Sequence, residues 1–167
     1  WAAGALGDRR AVERLVAALN DSAADVREQA AWALGAVGDR RAVAGLSAAL
    51  DDANPEVQQQ AAWALGAVGA REAAPALGAA LKARSAEVRT QAAWALGAIG
   101  GRGEVPALVA ALSDTDARVR EQAAWALGAI GDARAADALR AALRDADKSV
   151  REQARWALGV VGVSELK

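Results

Sequence analysis

The chain of 167 residues has no cysteine, histidine, methionine, phenylalanine or tyrosine, and only three prolines. Each absence excludes something. Without cysteine there are no disulfides and no thiolate chemistry. Without His, Cys and Tyr, the usual general bases, nucleophiles and zinc ligands are missing. No apolar run reaches the ~18 residues that a bilayer crossing needs, because Arg, Asp, Glu and Gln interrupt every stretch. No secretory signal pattern is present. The formal net charge is −1, so no global attraction to nucleic acid or an anionic membrane is expected. Even an initiating methionine is lacking, which reads as a processed or trimmed start. The chain is expected to be no enzyme, to carry no cofactor and no metal, and to be cytoplasmic.

What is present is alanine, arginine and tryptophan. Hydrophobic residues make up 54% of the chain, much of it alanine, which buries little area per residue. Arginine outnumbers lysine 17 to 3, a balance that reads as a GC-rich bacterial gene. The six tryptophans are Trp1, Trp32, Trp63, Trp94, Trp125 and Trp156, and every gap is 31 residues. This is the signature of a repeat architecture. The units are 1–31, 32–62, 63–93, 94–124 and 125–155, with a partial sixth at 156–167, read as one repeat domain. Twelve of the 16 glycines fall on the fourth and seventh positions of the unit.

Helical punctuation predicts two helices per unit. Ser85, Asn54, Asp116 and Asp147 stand three residues before a valine, where a side-chain oxygen caps the first amides. Ala23 holds that place in the first unit and is a weaker cap. Pro55 fits the first helical position. In the fourth hairpin, one helix is expected over 86–99, ended by Gly100 in the left-handed region. A second is expected over 104–113, with Pro106 in its first turn. Such units stack as an α-solenoid, each on its neighbours. Eleven helices are expected, the first cut short.

The stretches VREQAAWALGAIGD at 119–132 and GDRRAVERLVAALND at 7–21 resemble the short HEAT-like repeats of phycobilin-lyase type. They also resemble the artificial αRep scaffolds built from such repeats. The resemblance covers the whole chain. It implies an all-α, right-handed solenoid of HEAT-like hairpins, with inner helices such as 86–99 on the concave side. It also implies an Asp–Arg ladder between units, matched by Asp21, Asp52, Asp114 and Asp145 with Arg27, Arg89, Arg120 and Arg151. The pattern breaks at Gln58 and Ala83.

A helical wheel at about 100° per residue places Trp94 about 140° from the core arc of Val88, Ala92, Ala95 and Ile99. Trp94 therefore leans from one flank onto the concave face, near Thr90, Gln91 and Ala98. The opposite flank carries Ala93 and Gly97. A mid-helix glycine costs about 1 kcal/mol against alanine, so its recurrence suggests a close contact. Arg155 replaces the shelf alanine only in the fifth unit, so that flank faces the next unit. Each indole is expected on the preceding shelf: Trp63 on Ala31 and Gly35, Trp94 on Ala62 and Gly66, Trp125 on Ala93 and Gly97, Trp156 on Ala124 and Gly128. Trp1 has no such shelf and should be the most exposed.

The candidate concave surface comprises Glu28, Gln29, Trp32, Gln59, Gln60, Trp63, Thr90, Gln91, Trp94, Glu121, Gln122, Trp125, Glu152, Gln153 and Trp156. It is acidic at Asp25, Glu28, Glu56, Glu87, Glu121 and Glu152, with Arg27, Arg89, Arg120 and Arg151 expected to offset this in part. A protein or extended peptide, basic or of mixed charge, is the expected partner, with no nucleic acid and no membrane. Arg9 with Arg10, and Arg40 with Arg41, form small basic pairs at turns, minor candidates for an anionic partner. Self-association is expected at the N-terminal end. The function expected is a non-catalytic interaction module. A bilin lyase or isomerase, and a structural spacer or engineered scaffold, stay open beside it.

Overall fold

The computed structural model describes the backbone of residues 9–164 and the side chains of 10–162. Trp1, the cut-short first helix and the expected self-association at that end fall outside the described residues. Ten α-helices and no strands occur among the described residues. They are α1 (Arg9–Ala18), α2 (Ala24–Val37), α3 (Val43–Ala49), α4 (Pro55–Val68), α5 (Ala74–Ala80), α6 (Ala86–Ile99), α7 (Val105–Ala111), α8 (Ala117–Ile130), α9 (Ala136–Ala142) and α10 (Lys148–Ser164).

The long helices α2, α4, α6 and α8 begin and end where the punctuation places them, whereas α10 runs on through Gly162. Asn54 Oδ1 accepts from the N–H groups of Glu56 and Val57 at 2.8 and 3.1 Å. Ser85 Oγ accepts from Val88 N–H at 3.3 Å, and Asp116 from Arg118 N–H at 2.8 Å. Ala23 makes no side-chain cap. Gly38, Gly69, Gly100 and Gly131 end the helices at φ between 66° and 71°, a conformation that a Cβ would disfavour.

The short helices differ from expectation at their start. The helix expected from residue 104 runs over Val105–Ala111, behind a 3₁₀ turn at Arg102–Glu104. Few residues separate Gly100 from the helix. The tighter i→i+3 bond from Glu104 N–H to Gly101 O (3.0 Å) turns the chain in that space. Pro106, at the start of α7, has no N–H to leave unsatisfied.

The long helices α2, α4, α6, α8 and α10 pack side by side in chain order, and each short helix packs on the long helix that follows it. The short helices touch each other far less. The closely spaced row is the inner side of a curved stack, so the long helices line the concave face. Leu34, Leu65, Leu96 and Leu127 of the long helices and Leu46, Leu77, Leu108 and Leu139 of the short ones are fully buried. Valines such as Val57, Val88 and Val119, with many alanines, fill the rest, and no polar or charged residue is buried among the described residues.

The ladder forms at three junctions. Arg27 Nε and Nη2 donate to Asp52 at 2.7 and 2.9 Å. Arg89 meets Asp114 at 2.7 and 2.8 Å, and Arg120 meets Asp145 at 2.8 and 2.9 Å. Every rung joins residues 25 apart. Gln58 and Ala83 stand at that same separation, so the two breaks seen in the sequence are one missing rung. Neither charge is left without the other.

The guanidinium hydrogen bonds hold the carboxyls of Asp52, Asp114 and Asp145 below their ordinary value. A carboxylate with a depressed folded pKa stabilises the fold above its unfolded value of about 3.9. That contribution is lost as pH falls through the folded value. Asp39, Asp116 and Asp132, held at about 2 by Arg41, Arg118 and Arg134, act in the same sense. The thermal midpoint should therefore fall steadily as pH is lowered from about 5 towards 2, and Asp114→Asn should flatten part of that slope. A midpoint constant over this range would contradict the ladder's role.

Candidate functional site

The register of the long helices sets one row of side chains on the concave face per unit. Gln29, Trp32, Glu152 and Trp156 are exposed. Glu28, Gln59, Gln60, Trp63, Thr90, Gln91, Trp94, Glu121, Gln122, Trp125 and Gln153 are half-buried. Ala36, Ala67, Ala98 and Ala129 are exposed between them. Thr90 Oγ1 donates back to Ala86 O at 2.8 Å, within its own helix.

The tryptophans lie on the shelves. A Cβ built on Gly35, Gly66, Gly97 or Gly128 would fall 2.5 or 2.6 Å from Cζ3 of Trp63, Trp94, Trp125 or Trp156 respectively. The shelf alanines Ala31, Ala62, Ala93 and Ala124 are fully buried. The indoles therefore pack one unit on the next, as expected. Arg155, Gly159 and Val160 are exposed on the flank of α10. Nothing lies within 4 Å of a Cβ built on Gly159, so a bulky cation is tolerated at Arg155.

Packing uses the six-membered ring, at Cζ3, and leaves the ring nitrogen over. No buried side-chain nitrogen or oxygen lacks a partner. The Nε1–H groups of Trp63, Trp94 and Trp125 make no hydrogen bond, so each must open to solvent. The side-chain amides of Gln60, Gln91, Gln122 and Gln153 are likewise without a protein partner. The concave face thus repeats an unused donor and an unused amide in each middle unit.

The electrostatics depart from expectation in one respect. Arg27, Arg89 and Arg120 do not offset the concave acidity, because their guanidiniums are held in the ladder at 14–16% exposure. Arg151 donates instead to the carbonyls of Asp145 and Ala146 at 2.7 and 2.8 Å. The cations that do act are Lys148, which meets Glu152 at 3.4 Å, and Arg118, both of which the sequence reading missed. Arg118 occupies the register of Asp25, Glu56 and Glu87 and reaches Glu87 at 3.0 Å across the junction. Reading that register unit by unit would have found it. Asp25, Glu28, Glu56 and Glu121 make no ion pair, so three of the four unpaired carboxylates lie in the N-terminal half of the face. Arg40 and Arg41, the second of the basic pairs, are bound to Glu72 and Asp39 rather than free for an anion.

Among the described residues, no group of three or more His, Cys, Asp or Glu is placed to hold a metal ion. No described helix is long and apolar enough to cross a membrane.

Several solved structures are similar to this chain in fold. One is the complex of CpcE and CpcF of phycocyanin lyase from Nostoc sp. PCC7120, at 29% identity and a TM-score of 0.83. The match covers 93% of this chain and 66% of that one. An engineered protein is similar at 28% identity and a TM-score of 0.70, over 97% of this chain and 83% of that one. A designed armadillo repeat protein in complex with the peptide (KR)4 is similar in fold, at 22% identity, a TM-score of 0.69 and coverage of 95% and 88%. No curated protein matches the chain. The family model for HEAT repeats matches residues 1–55, 43–111 and 102–159. With the hairpins, the ladder and the indole shelves in place, the chain belongs to the HEAT-repeat family.

Proposed function

We propose that this chain is a non-catalytic interaction module that binds an extended protein segment along its concave face. The observation that carries this reading is the repeated pair of unused groups, an indole N–H and a glutamine amide, one set per middle unit. Packed helices lie about 8–10 Å apart. Three residues of extended or polyproline chain span about 9–10 Å. A guest chain thus offers a backbone carbonyl and N–H to each unit in step. Asp25, Glu28 and Glu56 favour a guest with cationic side chains at its end over the N-terminal units.

A peptide (Lys-Pro-Ala)4 tests the reading, with (Glu-Pro-Ala)4 as control. The lysine peptide should bind, weaken with added salt, and lose about tenfold in affinity in the triple variant Gln60→Ala, Gln91→Ala, Gln122→Ala. The melting midpoint of that variant should be unchanged, because these amides hold no protein partner. Equal binding of both peptides, or no effect of the triple variant, would overturn the proposal.

The likeness to the phycocyanin lyase complex supports a second reading, a bilin lyase or isomerase subunit. A shift in bilin absorbance on mixing would favour it.

A further inference from the structure

The missing rung leaves a cleft. At the junction where Gln58 faces Ala83, a cavity of about 560 Å³ opens, away from the concave row. Its apolar lining includes Leu50, Pro55, Ala76 and Ala80, and its charged lining residues are Asp51, Lys82 and Arg84. The lining is thus one positive charge in excess. Lys82 and Arg84 are exposed, and neither makes an ion pair or side-chain hydrogen bond.

The ladder aspartates show what the cleft lacks. Asp21, Asp52, Asp114 and Asp145 each accept from the N–H two residues on, at 2.8–2.9 Å. With Ala83 in that position, Ser85 N–H has no acceptor among the described residues. The arginines at this position donate to the carbonyl five residues earlier, as Arg89 does to Arg84 O at 3.0 Å. Gln58 is too short for this. It reaches only Asp52 O, at 2.5 Å, and Ala53 O receives no donor. A carboxylate is the missing group on one side of the cleft, and two cations stand beside its place.

We infer that this cleft takes an aspartate or glutamate side chain from a partner protein, seated where the chain's own aspartate sits at the other junctions. The carboxylate accepts from Ser85 N–H and pairs with Lys82 and Arg84. Apolar neighbours of that acidic residue cover Leu50, Pro55, Ala76 and Ala80. The cleft shares no residue with the concave row, so this site stands or falls apart from the proposed function.

The probe is the blocked tripeptide acetyl-Leu-Asp-Leu-amide, titrated into the ¹⁵N-labelled chain and followed by amide shifts. Ser85 should shift saturably and by more than Ala23, Asn54, Asp116 and Asp147, whose N–H groups already have aspartate acceptors. Ala83→Asp supplies the acceptor from within and should abolish the Ser85 response. Lys82→Ala with Arg84→Ala, both exposed, should weaken binding several-fold without changing the melting midpoint. A Ser85 shift no larger than those of the other four amides, or one that survives Ala83→Asp, would overturn the inference. So would acetate acting at the same concentration as the tripeptide, since the apolar lining would then contribute nothing.

Discussion

Gly97→Leu is expected to lower the melting midpoint by about 3–10 °C, from an overpacking cost of about 1–3 kcal/mol in a chain of this size. The first added carbon already meets Trp125 Cζ3 at 2.6 Å and Ala126 Cα at 2.9 Å. The ring can tilt, but the second contact is backbone of the next long helix. That helix cannot retreat without opening the junction between α6 and α8. Gly97→Ala should therefore also destabilise, although alanine is the better helix former by about 1 kcal/mol. Gly159 is the internal control. It holds the same place in α10, and a Cβ there meets nothing within 4 Å, so Gly159→Ala should leave the midpoint unchanged or raise it. Should Gly97→Ala and Gly159→Ala behave alike, the shelf has no packing role.

Leu96→Ala is expected to cost about 2–5 kcal/mol, the range for a fully buried leucine cut to alanine. Leu96 is wholly enclosed, and the alanines around it have no longer side chains to swing into the void. Leu158 has the same register in α10 but is only half-buried. Leu158→Ala should cost clearly less. Denaturant unfolding of the two variants separates the cases. Equal losses would mean that α10 is covered by something other than its neighbours α8 and α9.

Much of this was legible because translation repeats the same physics. The limits of α6 follow from Ser85 and Gly100, and the indole contact from Gly97 and Arg155. Each of those positions has a single steric reason that a wheel and a spacing can express. Three things were harder to read. The 3₁₀ turn before α7 depends on how little chain remains after Gly100, which periodicity does not encode. The unity of Gln58 and Ala83 was present as a separation of 25 residues, yet it shows only once intact rungs fix which arginine meets which aspartate. The role of Arg118 was hidden by the same ladder. Four arginines at similar positions look equally available until Arg27, Arg89 and Arg120 are seen held by carboxylates. The unpaired concave acidity then falls mainly in the N-terminal half, with Glu87 met by Arg118 and Glu152 by Lys148.

The neutral rung also bears on copy number. Deleting residues 94–124 would bring Arg89 opposite Asp145, and a proper pair would re-form. Deleting 63–93 would instead set Gln58 against Asp114, stranding a carboxylate. Deleting 32–62 would set Arg27 against Ala83, stranding a guanidinium. Units joined by interchangeable indole shelves would otherwise be free to multiply or drop out in any order. One uncharged junction makes the second and third units non-interchangeable with the rest, and so gives a uniform array a fixed internal address.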